Sequence, residues 1–313
     1  MSGVTVAVVG AADVAKELGK KGTASDVTLF NLVHDELAIT LVEPTQFPEK
    51  IPPLLASLAM ADECLLVLAE LSKPVAETIA TLELTDVPTT VVVGPTIGET
   101  EVVRLLKGGR LASAPRVPLD FPHLRELVEG LPSPVRSGPV RVPIDHAFPV
   151  KGVGAVALGV VRQGTLHAHE RLRLYPTAKV AEIRSVQVHD VDRKEAVTGE
   201  RVGVALKGVE ADELARGQVL APEGTLSVGS PLELGPIERC RYYRGDAGAG
   251  AQLHLCLGLQ AVPAVLDELG PTGARVTPDR PVVFAPDDPA YLLDLSVGVG
   301  PRIFGRARTR ATP

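Results

Sequence analysis

Hydrophobic runs alternate with amphipathic stretches along the first 132 residues. The apolar runs at residues 4–9, 37–42, 64–69 and 89–93 predict strands, and the stretches at 14–18, 51–61, 75–84, 101–106 and 124–131 predict helices. Strands separated by helices of this length build a parallel sheet with right-handed crossovers. The pattern therefore predicts a small doubly wound α/β domain over residues 1–132.

From residue 140 onward the pattern changes to short β-branched runs separated by turns. Residues 153–161 form an apolar run that the turn Gln163-Gly164-Thr165 returns as residues 172–175. Later runs lie at 232–234, 240–243, 251–257, 274–277, 282–284, 291–296 and 303–308. Evenly spaced short strands predict closed barrels. We expect an α/β plus all-β chain, with a Pro-rich linker at 133–139 and β-barrels at 140–228 and 229–313.

Composition narrows the class of protein. The chain is 45% apolar with a mean hydropathy of +0.19, which predicts a compact protein, and aromatic residues make up only 3%. No apolar run approaches the roughly 20 residues of a membrane helix, and the start lacks a signal-peptide pattern. Its cysteines, Cys64, Cys240 and Cys256, are isolated, so neither a zinc site nor a disulfide framework is predicted. The expected location is the cytoplasm, without a membrane partner.

The net charge of −6 argues against broad coating of nucleic acid, and we expect no DNA partner. Any contact with nucleic acid would be a local basic patch; the alternative for the same residues is a solvated edge or tail. The candidates for such a patch are Lys20, Lys21, Lys151, Arg302, Arg306, Arg308 and Arg310.

Three blocks of the second half carry a family resemblance. VPIDHAFPVKGVGAVALG (142–159), GERVGVALKG (199–208) and RGQVLAP (216–222) recur in order and at family spacing. Together they resemble the second domain of the elongation factor Tu family, nearest to the selenocysteine-specific factor SelB and its archaeal paralogs. The resemblance implies a G domain of P-loop type in front of two β-barrels.

The first half departs from that family where GTP should bind. A P-loop reads GxxxxGK[ST] after the first strand, but Gly10 is followed five residues later by Ala15, and Lys16 by Glu17. Asp13 is placed to cap the following helix, which would put a carboxylate where a phosphate should lie.

The later nucleotide motifs are replaced as well. Glu43-Pro44-Thr45-Gln46 stands where DxxG would follow its strand, and Phe47 stands where the family keeps a water-positioning His. Gly94-Pro95-Thr96-Ile97 takes the place of the guanine-reading NKxD. The residues that the usual mechanism of GTP hydrolysis requires are therefore replaced at these positions. We therefore predict a degenerate G domain with no catalytic residue and no cofactor; GTP with Mg²⁺ is the alternative.

The segment GKKGTASDVTLFN (19–31) resembles a block of the archaeal SelB-like paralogs and is the candidate for a residual nucleotide site. Its members would be Gly10, Lys20, Lys21 and Thr23. The alternative is a helix C-cap at Gly19 followed by a Lys-rich surface turn.

The same resemblance implies a pocket for the aminoacyl end of a tRNA in the first barrel. Asp145 would face the ammonium or the terminal ribose, His146 would be a polar neighbour, and Phe148 would pack. Gln187 falls beside the terminal adenine, and Arg201 falls where SelB has an Arg suited to an anionic side chain. The structural alternatives are a turn former for Asp145, core for Phe148 and a surface strand for Arg201.

No metal site or hydrolase triad is predicted. His189, Asp190 and Asp192 fit a hydrophilic loop, and Asp145 with His146 lacks a positioned Ser or Cys. The favoured hypothesis is a SelB-like protein that has lost GTP hydrolysis and binds aminoacyl-tRNA or the ribosome. The alternatives are a divergent GTPase active on the ribosome and a scaffold without ligand.

Overall fold

A computed structural model describes residues 2–311. The first part of the chain contains a seven-stranded sheet with helices on both faces. Its elements are β1 (Ser2–Val9), α1 (Val14–Leu18), β2 (Lys20–Ala24), β3 (Thr28–His34), β4 (Leu37–Glu43), α2 (Pro52–Met60), β5 (Glu63–Leu68), α3 (Lys73–Leu82), β6 (Thr89–Val93), α4 (Glu99–Leu106), β7 (Arg116–Pro118) and α5 (Phe121–Glu129). The strand order is β2-β3-β4-β1-β5-β6-β7.

The sheet is mixed, whereas the sequence predicted a parallel one. Strands β4, β1, β5, β6 and β7 are parallel, but β2 and β3 form antiparallel pairs at one edge. The expected surface turn after Gly19 is wrong, since Lys20 and Lys21 pair with Asn31 and Phe30 of β3. Because Ser25 and Asp26 turn the chain within a few residues, there is no room for a crossover helix and the strands must be antiparallel.

Strand β1 shows why the sheet is buried on both faces. Val4, Val6 and Val8 point to the side covered by α1 and α5, and Ala7 and Val9 to the side covered by α2, α3 and α4. A largely apolar central strand, paired in parallel on both sides, has this appearance.

The second sheet closes into a barrel. Its strands are β8 (Val142–Val150), β9 (Gly154–Val160), β11 (Arg171–Tyr175), β12 (Val180–Val188), β13 (Val191–Arg193), β15 (Arg201–Lys207) and β16 (Val219–Ala221), with β10 (Thr165–His167) and β14 (Glu195–Val197) as a separate pair. The order is β11-β16-β8-β9-β15-β12-β13, and pairing of β11 with β12 closes the ring. Residues 133–139, predicted as a linker, contain no helix or strand.

The third sheet curls into a half-barrel: among the described residues its strand order has no closing pair, and one isolated bridge joins Leu234 to Thr309, so the closed barrel predicted here is incomplete. Its strands are β18 (Leu232–Leu234), β19 (Glu238–Arg239), β20 (Ala251–Leu257), β21 (Gln260–Gly270), β22 (Gly273–Pro278), β24 (Pro289–Leu293) and β25 (Ile303–Arg308), with β17 (Ser227–Gly229) paired to β23 (Val282–Phe284). The sequence missed β21, whose Pro263 interrupts the apolar run, and the strand expected at 240–243 is a turn region. The α/β plus all-β class is confirmed; the domain limits stay predictions.

Ion pairs connect the sheets. Asp62 at the start of β5 accepts hydrogen bonds from Arg136 in the linker at 2.7 Å and from Arg162 of the barrel at 2.8 Å. Arg141 forms a two-pronged pair with Asp288, at 2.8 and 2.6 Å. Such planar pairing fixes orientation as well as distance.

The arginines near the chain's end, predicted as a nucleic-acid patch, serve as further connections. Arg302 pairs with Glu77 of α3 at 2.6 Å, and both Arg306 and Arg308 reach Asp86, which follows α3. Their charges are compensated at the junction between the first and third sheets, which disfavours these three as a nucleic-acid patch. Arg310 donates to the carbonyl of Thr272, and the patch stays a prediction.

Candidate functional site

The turn from β1 into α1 is tight. Gly10 has φ +95°, and a Cβ there would lie 2.4 Å from the carbonyl oxygen of Val67, so only glycine fits without strain. Asp13 precedes α1 with φ +67°, and its side chain makes no capping hydrogen bond. It pairs with Lys16 at 3.2 Å instead. The prediction that Asp13 caps α1 is wrong, because the left-handed backbone carries its carboxylate away from the helix amides.

Glu43, the last residue of β4, supplies the missing carboxylate. Its Oε1 accepts a 2.7 Å hydrogen bond from the backbone amide of Ala15, and the residue is 8% exposed. Burial raises the pKa of Glu43, while hydrogen bonds from the backbone at Ala15, Asp13 and Val14 act in the opposite direction. The Glu43 carboxylate therefore already accepts a hydrogen bond from a backbone amide at the start of α1. Glu43 stands where the DxxG motif of the family would begin.

A cleft of about 550 Å³ lies beside this turn. Of the predicted nucleotide residues, Gly10 and Lys21 line it, whereas Lys20 does not and Thr23 belongs to a different cleft. Glu43, Asp13 and Glu70 line the same space. With three carboxylates and one lysine, the cleft carries an acidic lining.

A second cleft, of about 590 Å³, lies between the β2–β3 hairpin and the barrel. Phe148, Gln187 and Arg201, predicted for a tRNA end, line it, together with Thr23 of the hairpin. Phe148 is 41% exposed, so it is not a core residue. The Arg201 guanidinium lies 3.4 Å from the Thr23 hydroxyl, which joins the two sheets at this point.

Asp145 and His146 do not line this cleft themselves but lie behind Arg201, which does. Arg201 donates to both carboxylate oxygens of Asp145, at 2.8 and 3.3 Å, and His146 Nδ1 is 2.6 Å from Oδ1. Burial works to raise the pKa of Asp145, but the Arg201 charge and the His146 hydrogen bond outweigh it, and the pKa is lowered. The structure thus brings all three side chains together, with Asp145 positioning Arg201 rather than facing the cleft.

Other polar residues of the lining were not predicted. Asn31, Ser185 and His189 line the cleft, and Asn31 Oδ1 and His189 Nδ1 are buried without a hydrogen-bond partner in the described part of the chain. His189 and Asp190 both have positive φ and form the two-residue turn between β12 and β13. Burial and the nearby Arg201 lower the pKa of His189. The His-Asp pair was interpreted only as a hydrophilic loop, because sequence does not show which face of a hairpin meets another domain.

Within residues 2–311, no group of three or more His, Cys, Asp or Glu side chains is arranged to hold a metal ion. No helix in that range has both the length and the apolar character needed to cross a membrane.

The chain is similar to known proteins both within its first barrel and over most of its length. Residues 154–221 match the family model for elongation factor Tu domain 2. An uncharacterised protein of Methanocaldococcus jannaschii is 35% identical over 97% of this chain and 99% of its own length. The selenocysteine-specific elongation factor of the same organism is 26% identical over 83% of this chain, and the match spans 61% of that factor.

Solved structures agree in fold. Translation elongation factor SelB from Methanococcus maripaludis, crystallised with the GTP analogue GppNHp, superposes with a TM-score of 0.84 at 20% identity, covering 100% of this chain and 80% of SelB. A bacterial selenocysteine-specific elongation factor gives 0.82 at 17% identity, over 98% of this chain and 58% of its own. The chain belongs to the elongation factor Tu and SelB-like family of translation factors.

Proposed function

We propose that this protein is a SelB-like translation factor that holds the aminoacyl end of a tRNA and has lost the GTP switch. The observation that carries the proposal is the hydrogen bond from the Ala15 amide to the buried Glu43 carboxylate. In a P-loop protein the same kind of amide faces a nucleotide phosphate.

The acidic residues that line the cleft beside Gly10 support the proposed loss of GTP binding. Two like charges 4 Å apart repel by about 4 kcal/mol at an effective dielectric constant of 20. A triphosphate entering the cleft beside Gly10 would meet the carboxylates of Glu43, Asp13 and Glu70. With Lys21 as the one lysine of the lining, this repulsion has little to offset it, so we expect GTP, and the Mg²⁺ that its phosphates would carry, not to be a cofactor.

The residues that line the cleft between the hairpin and the barrel support the proposed binding of a tRNA end. It joins an exposed aromatic ring, Phe148, to the amide of Gln187 and the guanidinium of Arg201, which suit a base, a ribose and an aminoacyl group. The unpaired oxygen of Asn31 and nitrogen of His189 leave hydrogen-bonding capacity for a ligand.

Loss of the switch changes the biological role. An elongation factor releases its tRNA after GTP hydrolysis, and a protein without that step would act as a regulator bound to tRNA or the ribosome in the cytoplasm. The fraction of the protein bound to tRNA would then depend on affinity and tRNA concentration, without a hydrolysis step that releases the tRNA.

Aminoacylated and deacylated bulk tRNA, compared in a gel-shift titration, test the proposal. We expect preferential binding of the aminoacylated form, unchanged by GTP with Mg²⁺, and weakened in Phe148→Ala. Val180→Ala, which removes a partly exposed valine of the same barrel outside the cleft, is the matched control. Equal binding of both tRNA forms would support a scaffold, and binding that requires GTP would support a divergent GTPase.

A further inference from the structure

The side chain that the sequence predicts for the ammonium of an aminoacyl group is engaged elsewhere. The Asp145 carboxylate accepts hydrogen bonds from Arg201 and lies 2.6 Å from His146 Nδ1. Asp145 is 2% exposed and does not line the cleft between the hairpin and the barrel. If this cleft holds an aminoacyl end, another part of its lining has to receive the ammonium.

Asn31 and His189 come from different sheets and meet beside Thr40. Asn31 of β3 stands directly opposite Thr40 of β4, and the Cβ atoms of such an antiparallel pair are about 4.5–5.5 Å apart. From the barrel, His189 Nε2 lies 3.4 Å from the Thr40 hydroxyl. Both Asn31 and His189 line the cleft. Their shared neighbour therefore brings the two side chains to the same corner of the cleft.

Each of these two side chains has a buried polar atom without a partner. Within residues 2–311, Asn31 Oδ1 and His189 Nδ1 form no hydrogen bond. Buried polar atoms are nearly always paired, and an unpaired one needs a physical reason. Two such atoms at one corner of a cleft are consistent with a ligand that supplies the missing partner.

The chemistry of the two atoms favours a ligand that donates. Asn31 Oδ1 is a carbonyl oxygen, which only accepts. Burial and the nearby Arg201 lower the pKa of His189, so its ring is neutral near pH 7 and has one donor and one acceptor nitrogen. When Nε2–H donates to the Thr40 hydroxyl, Nδ1 is the acceptor. An ammonium, with three N–H donors and no acceptor, suits both atoms.

The charges around this corner favour a cation. Asp190 follows His189 in the same turn and lines the cleft, and no Lys or Arg of residues 2–311 lies within ion-pair distance of it. Among the described lining residues Arg201 is the one Lys or Arg, and it donates to both oxygens of Asp145, at 2.8 and 3.3 Å. The charge of Arg201 is therefore offset inside the barrel, whereas that of Asp190 is not.

We infer that Asn31, His189 and Asp190 bind the α-ammonium group of the aminoacyl end, in place of Asp145. This inference rests on the proposed function. Asn31 Oδ1 and His189 Nδ1 accept hydrogen bonds from the ammonium, and Asp190 compensates its charge. Because deacylated tRNA has no charged donor to offer, these three side chains make the cleft selective for aminoacylated tRNA.

Replacing only the ammonium tests this inference. Bulk aminoacyl-tRNA is compared with the same pool after nitrous acid has converted its α-amino groups to hydroxyls, and with deacylated tRNA given the same treatment. In gel-shift titrations of the full chain at pH 7, the aminoacyl form should bind at least about tenfold more tightly than the hydroxyacyl form, because hydrogen bonds to a charged group are the stronger ones.

Two variants of the corner should reduce this preference to about twofold or less. Asn31→Leu removes the acceptor at similar volume, and His189→Gly removes the ring where the φ of +48° suits glycine. Asn31→Asp keeps an oxygen acceptor and should keep the preference. Val180→Ala, outside the cleft, is the matched control. Melting temperatures show that the variants are folded, and His189→Gly carries the test if Asn31→Leu is not.

The outcomes separate this inference from the proposed function. Equal binding of the aminoacyl and hydroxyacyl forms, both tighter than deacylated tRNA, would overturn the inference and leave the proposed function standing. The same conclusion follows if Asn31→Leu and His189→Gly keep the full preference of the wild type. Absence of any preference for acylated tRNA would overturn the proposed function and this inference with it.

Discussion

Glu43 Oε1 lies 2.7 Å from the backbone nitrogen of Ala15, so that the end of β4 closes over the start of α1. These are the two places where a family member's magnesium and phosphate motifs would stand. One hydrogen bond within the protein therefore joins the residue that replaces the magnesium motif to the turn that replaces the phosphate-binding loop.

Removing this carboxylate should destabilise the fold. Glu43→Ala leaves buried amides without an acceptor, for which the expected loss is about 1–3 kcal/mol of unfolding free energy. Glu43→Gln keeps an oxygen acceptor and should lose less. Urea unfolding measures both, with Glu17→Gln on the exposed face of α1 as the control. If Glu43→Ala were as stable as the wild type, the hydrogen bond would not contribute to the fold.

The pH dependence of Glu43 has a definite sign. Because burial raises its pKa above the ordinary value of 4.5, the folded protein binds this proton more tightly than the unfolded chain. The stability from this group is fully present below 4.5 and is lost as the pH rises through the folded pKa. Glu43→Gln should therefore gain stability relative to the wild type between pH 4 and 7, as measured by urea unfolding at each pH. A constant difference would contradict the raised pKa.

Arg201 should be needed to keep Asp145 buried. Arg201→Ala leaves a carboxylate that is 2% exposed without its cation, a change that typically costs about 3–5 kcal/mol. The pKa of Asp145 is lowered, so its stabilising contribution is present above its ordinary value of 3.8 and is lost as the pH falls through the folded pKa. In Arg201→Ala the deficit should be largest at neutral pH and shrink as the pH falls below 3.8.

The double variant Asp145→Ala with Arg201→Ala separates pairing from packing. Removing both partners leaves no uncompensated charge, and the double variant should unfold at higher urea than Arg201→Ala alone. Additive losses from the two single variants would show that the pair does not interact energetically.

The sequence predicted much of this architecture because local patterns were consistent with it. Residues 89–93, 251–257 and 303–308 became β6, β20 and β25 with the expected limits. The hairpin β2–β3 and strand β21 were missed, since β2 (Lys20–Ala24) is polar and exposed and β21 is interrupted by Pro263. In both, pairing with a neighbouring strand outweighs weak local preference.

The candidate sites depended more on tertiary contact. The sequence placed a carboxylate at the start of α1 but assigned it to Asp13, because capping patterns are local and cannot show that Glu43, 28 residues later, reaches the same amide. Likewise Phe148, Gln187 and Arg201 could be matched to a family pattern, whereas Asn31 and His189 enter the cleft only through contact between domains. The terminal arginines look alike in sequence, yet their carboxylate partners lie more than 200 residues away.

Equilibrium binding of fluorescent GTP and GDP with Mg²⁺ tests the loss of the nucleotide switch most directly. We expect no saturable binding up to about 100 μM, which means a binding free energy weaker than about 5.5 kcal/mol, and no change in melting temperature with either nucleotide. Micromolar or tighter binding that depends on Mg²⁺ would contradict the account.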